Sequence, residues 1–232
     1  MEELLRQGLR TYGLPEEAAA PLWGFAEMLL EKNKVMNLTA ITAPQDVATL
    51  HLLDSAALLT MVDFSGKQVV DVGTGAGFPG IPLRILRQDF DLTLLDSLGK
   101  RITFLQEVCE ALSLRRVDCV HARAEEFALT HREQYDLATS RAVAALNVLS
   151  ELALPLVKTG GLFLAMKAVD SDAEIDAARG AIGQLGGRIE DVRDYQIPDT
   201  GVRHRVVLIR KVRPTPAQYP RPFAKIKKNP LK

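Results

Sequence analysis

Two hydrophobic rhythms divide the chain. Up to residue 63 the apolar positions recur at i, i+3 and i+4: Leu4, Leu5 and Leu9, then Leu22, Phe25, Leu29 and Leu30, then Leu52, Leu53, Ala56 and Leu59. That spacing lays an apolar stripe along successive helices, and Pro21 must start or kink one of them. From Lys67 short apolar runs alternate with helical periods. Strands are expected at 68–72, 92–95, 117–121, 135–139, 161–167, 189–196 and 202–211, with helices at 79–88, 99–113, 142–157 and 171–186. Such alternation predicts a doubly wound parallel sheet with right-handed crossovers. Only Pro198, Asp199, Thr200 and Gly201 separate the last two strands, too few for a crossover, so these should form an antiparallel hairpin at the sheet edge. The expected organisation is a helical N-terminal subdomain (1–63), an α/β domain (64–212) and a basic, Pro-rich tail (213–232).

The junction of the first strand and helix carries the most chemistry. Asp71-Val-Gly-Thr-Gly-Ala-Gly-Phe-Pro-Gly80 follows a buried apolar run and precedes an apolar helical period. Its glycines permit a sharp turn and let a ligand lie against bare peptide groups. A dinucleotide G-x-G-x-x-G spacing fails when counted from Gly73 and fits from Gly75, leaving Gly73 and Thr74 unexplained. The G-x-G-x-G form directly after a strand-terminal acid resembles the first motif of S-adenosylmethionine-dependent methyltransferases. Asp71, Gly73, Gly75, Gly77 and Phe78 are thus candidate cofactor-binding residues. A second strand ends at Asp96, 25 residues after Asp71, where a carboxylate can accept hydrogen bonds from both ribose hydroxyls of an adenosyl group. The antiparallel last strand is likewise a trait of the methyltransferase sheet. NAD binding, or a turn that merely packs helix on strand, remains an alternative at this point.

Charge adds a partner class. The chain is formally neutral, yet residues 200–232 hold ten basic side chains and no acid, while residues 1–199 hold 19 basic against 29 acidic. A basic end on an acidic body suits a polyanion; a solvated tail is the plainer alternative. Tyr219, Phe223 and four prolines interleave with the charge, so either base stacking or packing on the body is open, and the prolines argue against a helix there. No apolar run reaches membrane-span length and no secretory leader is evident. The two cysteines, Cys109 and Cys119, form neither a C-x-x-C site nor a disulfide framework, so a reducing cytoplasm is expected, with no membrane partner and a monomeric state.

In doubly wound sheets the ligand lies beyond the carboxyl ends of the strands. That rule selects Asp71–Phe78, Asp96-Ser97-Leu98, His121-Ala-Arg123-Ala124-Glu125, Ser140-Arg141 and the neighbourhood of Lys167. Arg141 could hold a carboxylate or phosphate, or pair with a nearby acid. Metal, nucleophile-elbow and Walker motifs are missing, as is the Asn/Asp-Pro-Pro-aromatic turn that methyltransferases use for an exocyclic amine. An acceptor needing none of these is a ring nitrogen with a free lone pair, such as guanine N7, which asks for alignment rather than a general base.

Lys34-Val-Met-Asn-Leu-Thr-Ala40, His51-Leu-Leu-Asp-Ser55, Asp71 to Pro82, Leu94 to Arg101 and Ser140-Arg-Ala142 together resemble the bacterial small-subunit rRNA guanine-N7 methyltransferases, also called the glucose-inhibited division protein B family. The resemblance implies a Rossmann-like class I S-adenosylmethionine-dependent methyltransferase fold and methyl transfer to N7 of one guanine of 16S rRNA near the decoding region. It implies cofactor contacts at Gly73, Phe78, Ala124, Glu125 and Arg141, with Asp96, Ser97 and Leu98 around the ribose. Asn37, His51, Arg123 and Arg203 match polar positions at the family's active face and are the catalytic candidates. Asn37 could instead cap a turn after the second helix, and His51, taken as starting a helix, could be an ordinary paired histidine. A methyltransferase for another RNA or a small molecule, and a ribosome-binding module without turnover, are the competing readings.

Overall fold

The computed structural model describes residues 1–141 and 144–232; Ala142 and Val143, where the expected helix 142–157 begins and the Ser140-Arg-Ala142 motif ends, lie outside the described residues. Seven strands, β1 (Gln68–Val72), β2 (Asp91–Asp96), β3 (Val117–His121), β4 (Tyr135–Arg141), β5 (Val157–Ala168), β6 (Gly187–Gln196) and β7 (Arg203–Lys211), form one sheet in the order β3-β2-β1-β4-β5-β7-β6. The first five are parallel, and β7 runs antiparallel between β5 and β6. This is the expected sheet, with β6 of the final hairpin at its edge.

Alternation along the strands separates two cores. Val69, Leu92, Leu94, Leu137 and Leu164 meet Leu5, Leu22, Phe25, Leu52 and Phe104, carried by helices α1 (Glu2–Thr11), α2 (Ala19–Met36), α3 (residues 44–60) and α5 (Gly99–Ala111), with α4 (Gly80–Leu86) beside them. The N-terminal helices thus share one hydrophobic core with the sheet. Val70, Leu95, Ala138, Phe163 and Val207 face the other way, onto α6 (Ala124–Thr130), α7 (Leu146–Ala153) and α8 (Asp172–Gln184). Helix α7 stops short of the expected 157 because Pro155, which has no N–H to donate, follows it and turns the chain into a longer β5.

Helix α3 corrects the placement of His51. The helix opens at Pro44, where a missing N–H costs nothing, and winds as a π-helix over Val47–Leu53. His51 therefore lies within the helix rather than at its start, on a wide turn of the kind often found at functional sites.

The tail corrects a second expectation. Phe223–Lys228 is a helix, α9, with Pro222 as its N-cap; at that position proline removes no intrahelical bond. Nor is the segment loose. Buried Lys211 donates to the carbonyls of Leu154 and Val157 at 2.6 and 3.1 Å and pairs with Glu133 at 3.0 Å. Arg132 donates to the carbonyls of Thr215, Pro216 and Tyr219. Asn147 and Gln184 donate to the carbonyls of Leu231 and Lys232 at 2.8 and 3.1 Å. Residues 212–232 form a strap across the face of α7 and α8.

Candidate active site

The glycine turn after β1 is held from beneath by Asp71. Its fully buried carboxylate accepts hydrogen bonds from the Thr74 hydroxyl (2.7 Å), the Gly80 N–H (3.0 Å) and the Thr139 hydroxyl (3.0 Å). Burial pushes the Asp71 carboxyl up to about 6, with these donors pulling it back. Gly73, Gly75 and Gly77 take φ of 69°, 61° and 102°, the left-handed region that disfavours side chains. A Cβ at Gly77 would come within 2.8 Å of Ile81 and Leu105, and one at Gly80 within 2.5 Å of Leu94. Gly77 thus serves the packing of α4 and α5 beside the turn, and Gly80 the packing of α4 on the sheet. Gly75 is different: its Cβ direction is open, since nothing but a carbonyl at 3.9 Å would meet it.

Gly73 to Ala76, Asp96, Ser97 and Arg101 form one side of a cleft of about 720 Å³ at the carboxyl end of the strands, ample for a nucleoside-sized ligand. The Asp96 carboxylate is 4% exposed and accepts from the Gly75 and Leu98 N–H groups at 2.9 Å each, with the Arg101 guanidinium at 3.3 Å. It therefore clamps the glycine turn to β2 while facing the cleft. The residues present fit S-adenosylmethionine: a carboxylate that could accept from ribose hydroxyls beside a glycine turn whose Gly75 is open to the cleft.

The opposite wall centres on Asp54, from α3. This buried carboxylate accepts from Arg141 Nη1 (3.0 Å), His204 Nδ1 (2.7 Å) and the Tyr195 hydroxyl (2.6 Å). Burial pushes its pKa up, but His204, Arg141 and Tyr195 outweigh burial and hold it below the ordinary value. The bond to Asp54 raises His204 in turn, against its desolvation. Because β7 is antiparallel, its first residues Arg203 and His204 reach the same rim as the last residues of the parallel strands, and His204 pairs with Ala168 at the end of β5.

His51 is held on all sides. Arg141 Nη2 lies 2.9 Å from Nδ1, Thr39 Oγ1 lies 2.8 Å from Nε2, and the ring stacks on Phe78 with centroids 4.5 Å apart. Desolvation, then the Arg141 charge, lowers His51 to about 4, so it is neutral near pH 7. Asn33 anchors Thr39 through two bonds to its backbone, at 2.9 and 3.0 Å. Arg141 also covers the Phe78 ring, 4.7 Å from its centroid. Of the two readings open for Arg141, the pair with an acid is the one observed, although the residue still lines the cleft.

Of the site candidates, His51, Gly73, Gly75, Phe78, Asp96, Ser97 and Arg141 line this cleft. The others lie apart from its lining. Asp71 and Gly77 sit under the turn; Leu98 is exposed beside Asp96, and Ala124 and Glu125 begin α6. Asn37 is the exposed C-cap of α2 at φ 47°, which is the capping alternative. Arg123 lies exposed over the Phe223 ring, 5.9 Å from its centroid. Arg203 is largely exposed, 3.9 Å from Asp194. None of these three lines the cleft, so of the four catalytic candidates the structure brings only His51 to it. The structure adds Asp54, His204 and Thr39 to the cleft lining, with Tyr195 bonded to Asp54, none of them among the sequence candidates. An acid inside the apolar run Leu52-Leu53-Asp54 was a readable sign for the first, and no local signal marked His204.

A parallel sheet with one antiparallel strand, a glycine turn and a carboxylate after the second strand define a class I S-adenosylmethionine-dependent methyltransferase. The fold is shared with solved methyltransferase structures: TrmN from Thermus thermophilus (TM-score 0.54, 22% identity, 68% of this chain and 48% of that one), and M. jannaschii TYW2 in complex with AdoMet (TM-score 0.55, 16% identity, 68% and 74%). The family model described as rRNA small subunit methyltransferase G matches residues 19–200. Curated proteins of that name from Clostridium botulinum strain 657 (47% identity, 90% of this chain and 88% of theirs), Symbiobacterium thermophilum (46%, 98% and 97%) and Acetivibrio thermocellus (42%, 100% and 97%) are similar over nearly their whole length. The chain belongs to the rRNA small subunit methyltransferase G family, whose members are S-adenosylmethionine-dependent enzymes.

Proposed function

We propose that the chain transfers the methyl group of S-adenosylmethionine to N7 of a guanine in 16S rRNA near the decoding region, acting as a monomer in the cytoplasm. The observation that carries the chemical part is the state of His51. A guanidinium can only donate, so Nδ1 of His51 must accept from Arg141 and Nε2–H must donate to Thr39. Both nitrogens are engaged, and the imidazole at the cleft wall has no lone pair free to remove a proton. N7 has no proton to lose, so an acceptor of that kind matches such a wall.

The bound cofactor supplies an electrophilic methyl on a sulfonium. Asp96 would accept from its ribose hydroxyls, and the Gly73–Gly75 turn, braced by Asp71, would lie against it. Phe78, packed against both His51 and Arg141, fixes the floor. Asp54 balances the Arg141 charge and leaves His204 on the cleft wall as a charge-assisted donor for an acceptor on the RNA.

The test is tritium transfer from labelled cofactor to 16S rRNA and to small subunits from a strain lacking this gene, followed by chemical cleavage at 7-methylguanine and primer extension. One stop at a decoding-region guanine is expected. Label at another atom or on another RNA would favour the broader methyltransferase reading, and no transfer at all the binding module.

A further inference from the structure

We propose that the exposed face of the strap, carrying Lys225, Lys227 and Lys228 with Arg123 beside it, is a preformed ridge that binds the RNA phosphate backbone next to the cleft; the proposal rests on the rRNA reading above. Three observations support it. First, the charge is uncompensated. Within residues 200–232, Arg205 is paired with Asp172 and Asp194, Arg210 with Glu190, Lys211 with Glu133 and Arg221 with Glu151. Lys225, Lys227 and Lys228 are exposed and enter no ion pair among the described residues, on a segment without an acid. Second, the ridge is rigid. Ile226 is fully buried and Phe223 packs on the same core, so α9 is seated through its apolar side. Behind it, Arg221 bonds Glu151 three times and Arg132 gathers three strap carbonyls. Lysines on such a support lose less freedom on binding than lysines on a loose arm.

Third, the ridge is continuous with the cleft. Ser97 lines the cleft, and its carbonyl lies 3.1 Å from Nε2 of His121, the last residue of β3. Two residues on, Arg123 lies over Phe223 of α9. Arg123, which does not line the cleft, so finds its place as the link from the cofactor side of the rim to the strap. A lipid surface is disfavoured, because the apolar residues of α9 face inward and only lysines and Ala224 are exposed there. A polyanion already bound at the neighbouring cleft fits instead.

The test compares the full chain with Lys225→Gln/Lys227→Gln/Lys228→Gln and with the corresponding triple arginine variant. Filter binding to deproteinised 16S rRNA is measured from about 50 to 300 mM KCl, with a poly-glutamate competitor in parallel. If each lysine neutralises one phosphate, the glutamine triple should lose about two to three from the slope of log K against log salt. Its RNA affinity should fall more than tenfold at the lowest salt, with melting temperature and cofactor affinity unchanged and the arginine triple restored to wild type. An unchanged slope with intact wild-type methyl transfer overturns the ridge alone, as does equal loss in both triples. Displacement of RNA only by poly-glutamate acting at these lysines, with RNA slope unaltered, would assign the face to an acidic protein. Absence of wild-type transfer to 16S rRNA overturns the parent reading and the ridge with it.

Discussion

His51 accepts a hydrogen bond at Nδ1 from Arg141 Nη2, 2.9 Å away. That contact fixes the tautomer, joins α3 to the end of β4 and, with burial, keeps the imidazole neutral down to about pH 4. His51→Ala should therefore lower single-turnover methyl transfer through lost packing on Phe78 and an unpaired Arg141 N–H, a loss of about 1–3 kcal/mol in stability. The shape of its pH–rate profile between about pH 6 and 9, where a catalytic His would titrate, should match the wild type. A wild-type limb in that range that disappears in His51→Ala would make His51 an acid–base catalyst after all.

The Asp54–His204 pair gives a pH dependence with a definite sign. His204 is raised in the folded state, so the stability it adds is complete below its ordinary value of about 6.5 and is lost as pH rises through the folded value. Asp54 is depressed, so its share is present above about 3.9 and is lost as pH falls through the folded value. The pair should contribute most between about pH 4 and 6.5. Urea unfolding should show His204→Gln less stable than wild type by about 1.5–3 kcal/mol at pH 6, with a smaller gap at pH 9. Asp54→Ala should cost more, about 3 kcal/mol, because the largely buried Arg141 loses its counter-charge and the His204 and Tyr195 donors lose their acceptor. Equal gaps at both pH values would show that His204 is not charged in the fold.

Asp96 carries two loads, the N–H groups of Gly75 and Leu98 and the expected ribose. Asp96→Ala should weaken S-adenosylmethionine binding by about 1–3 kcal/mol in titration calorimetry, the cost of a lost charged hydrogen bond. Asp96→Asn retains one acceptor oxygen and should lose less. An unchanged dissociation constant in both variants would remove Asp96 from the cofactor site.

The sheet, the glycine turn and the two strand-terminal acids were legible because each rests on local periodicity or on glycine's freedom at positive φ. The Asp54 cluster was not. Its partners stand 87 and 150 residues away in the chain, at Arg141 and His204, and only the antiparallel insertion of β7 brings His204 to the rim. Matching motif positions grouped Asn37, Arg123 and Arg203 with His51, whereas the fold spreads these residues along the rim, the strap and a helix cap. Cys109 and Cys119 show the same limit: ten residues apart, on α5 and β3, they place their sulfurs 4.0 Å apart. The tail helix is masked in the sequence because the prolines around it argue against a helix, whereas Pro222 serves as the start of one.

The strap changes how the basic tail can be tested. Glu151 is completely buried, and Arg221 satisfies it with the backbone N–H at 2.9 Å, Nε at 2.8 Å and Nη2 at 2.6 Å. Deleting residues 213–232 removes that partner together with the carbonyls that occupy Arg132, so truncation would damage the body as well as the tail. Arg221→Ala alone leaves an uncompensated buried carboxylate and should cost about 3–5 kcal/mol. Replacing both partners, as in Glu151→Leu/Arg221→Met, should recover much of that loss, because an apolar pair of similar volume avoids the desolvation penalty. The check is thermal unfolding of the two variants, with limited trypsin digestion reporting release of Lys225 to Lys228. Rapid cleavage there in Arg221→Ala, and protection in the double variant, are the expected outcome. If Arg221→Ala melts with the wild type and stays protected, the Glu151 pair does not hold the strap.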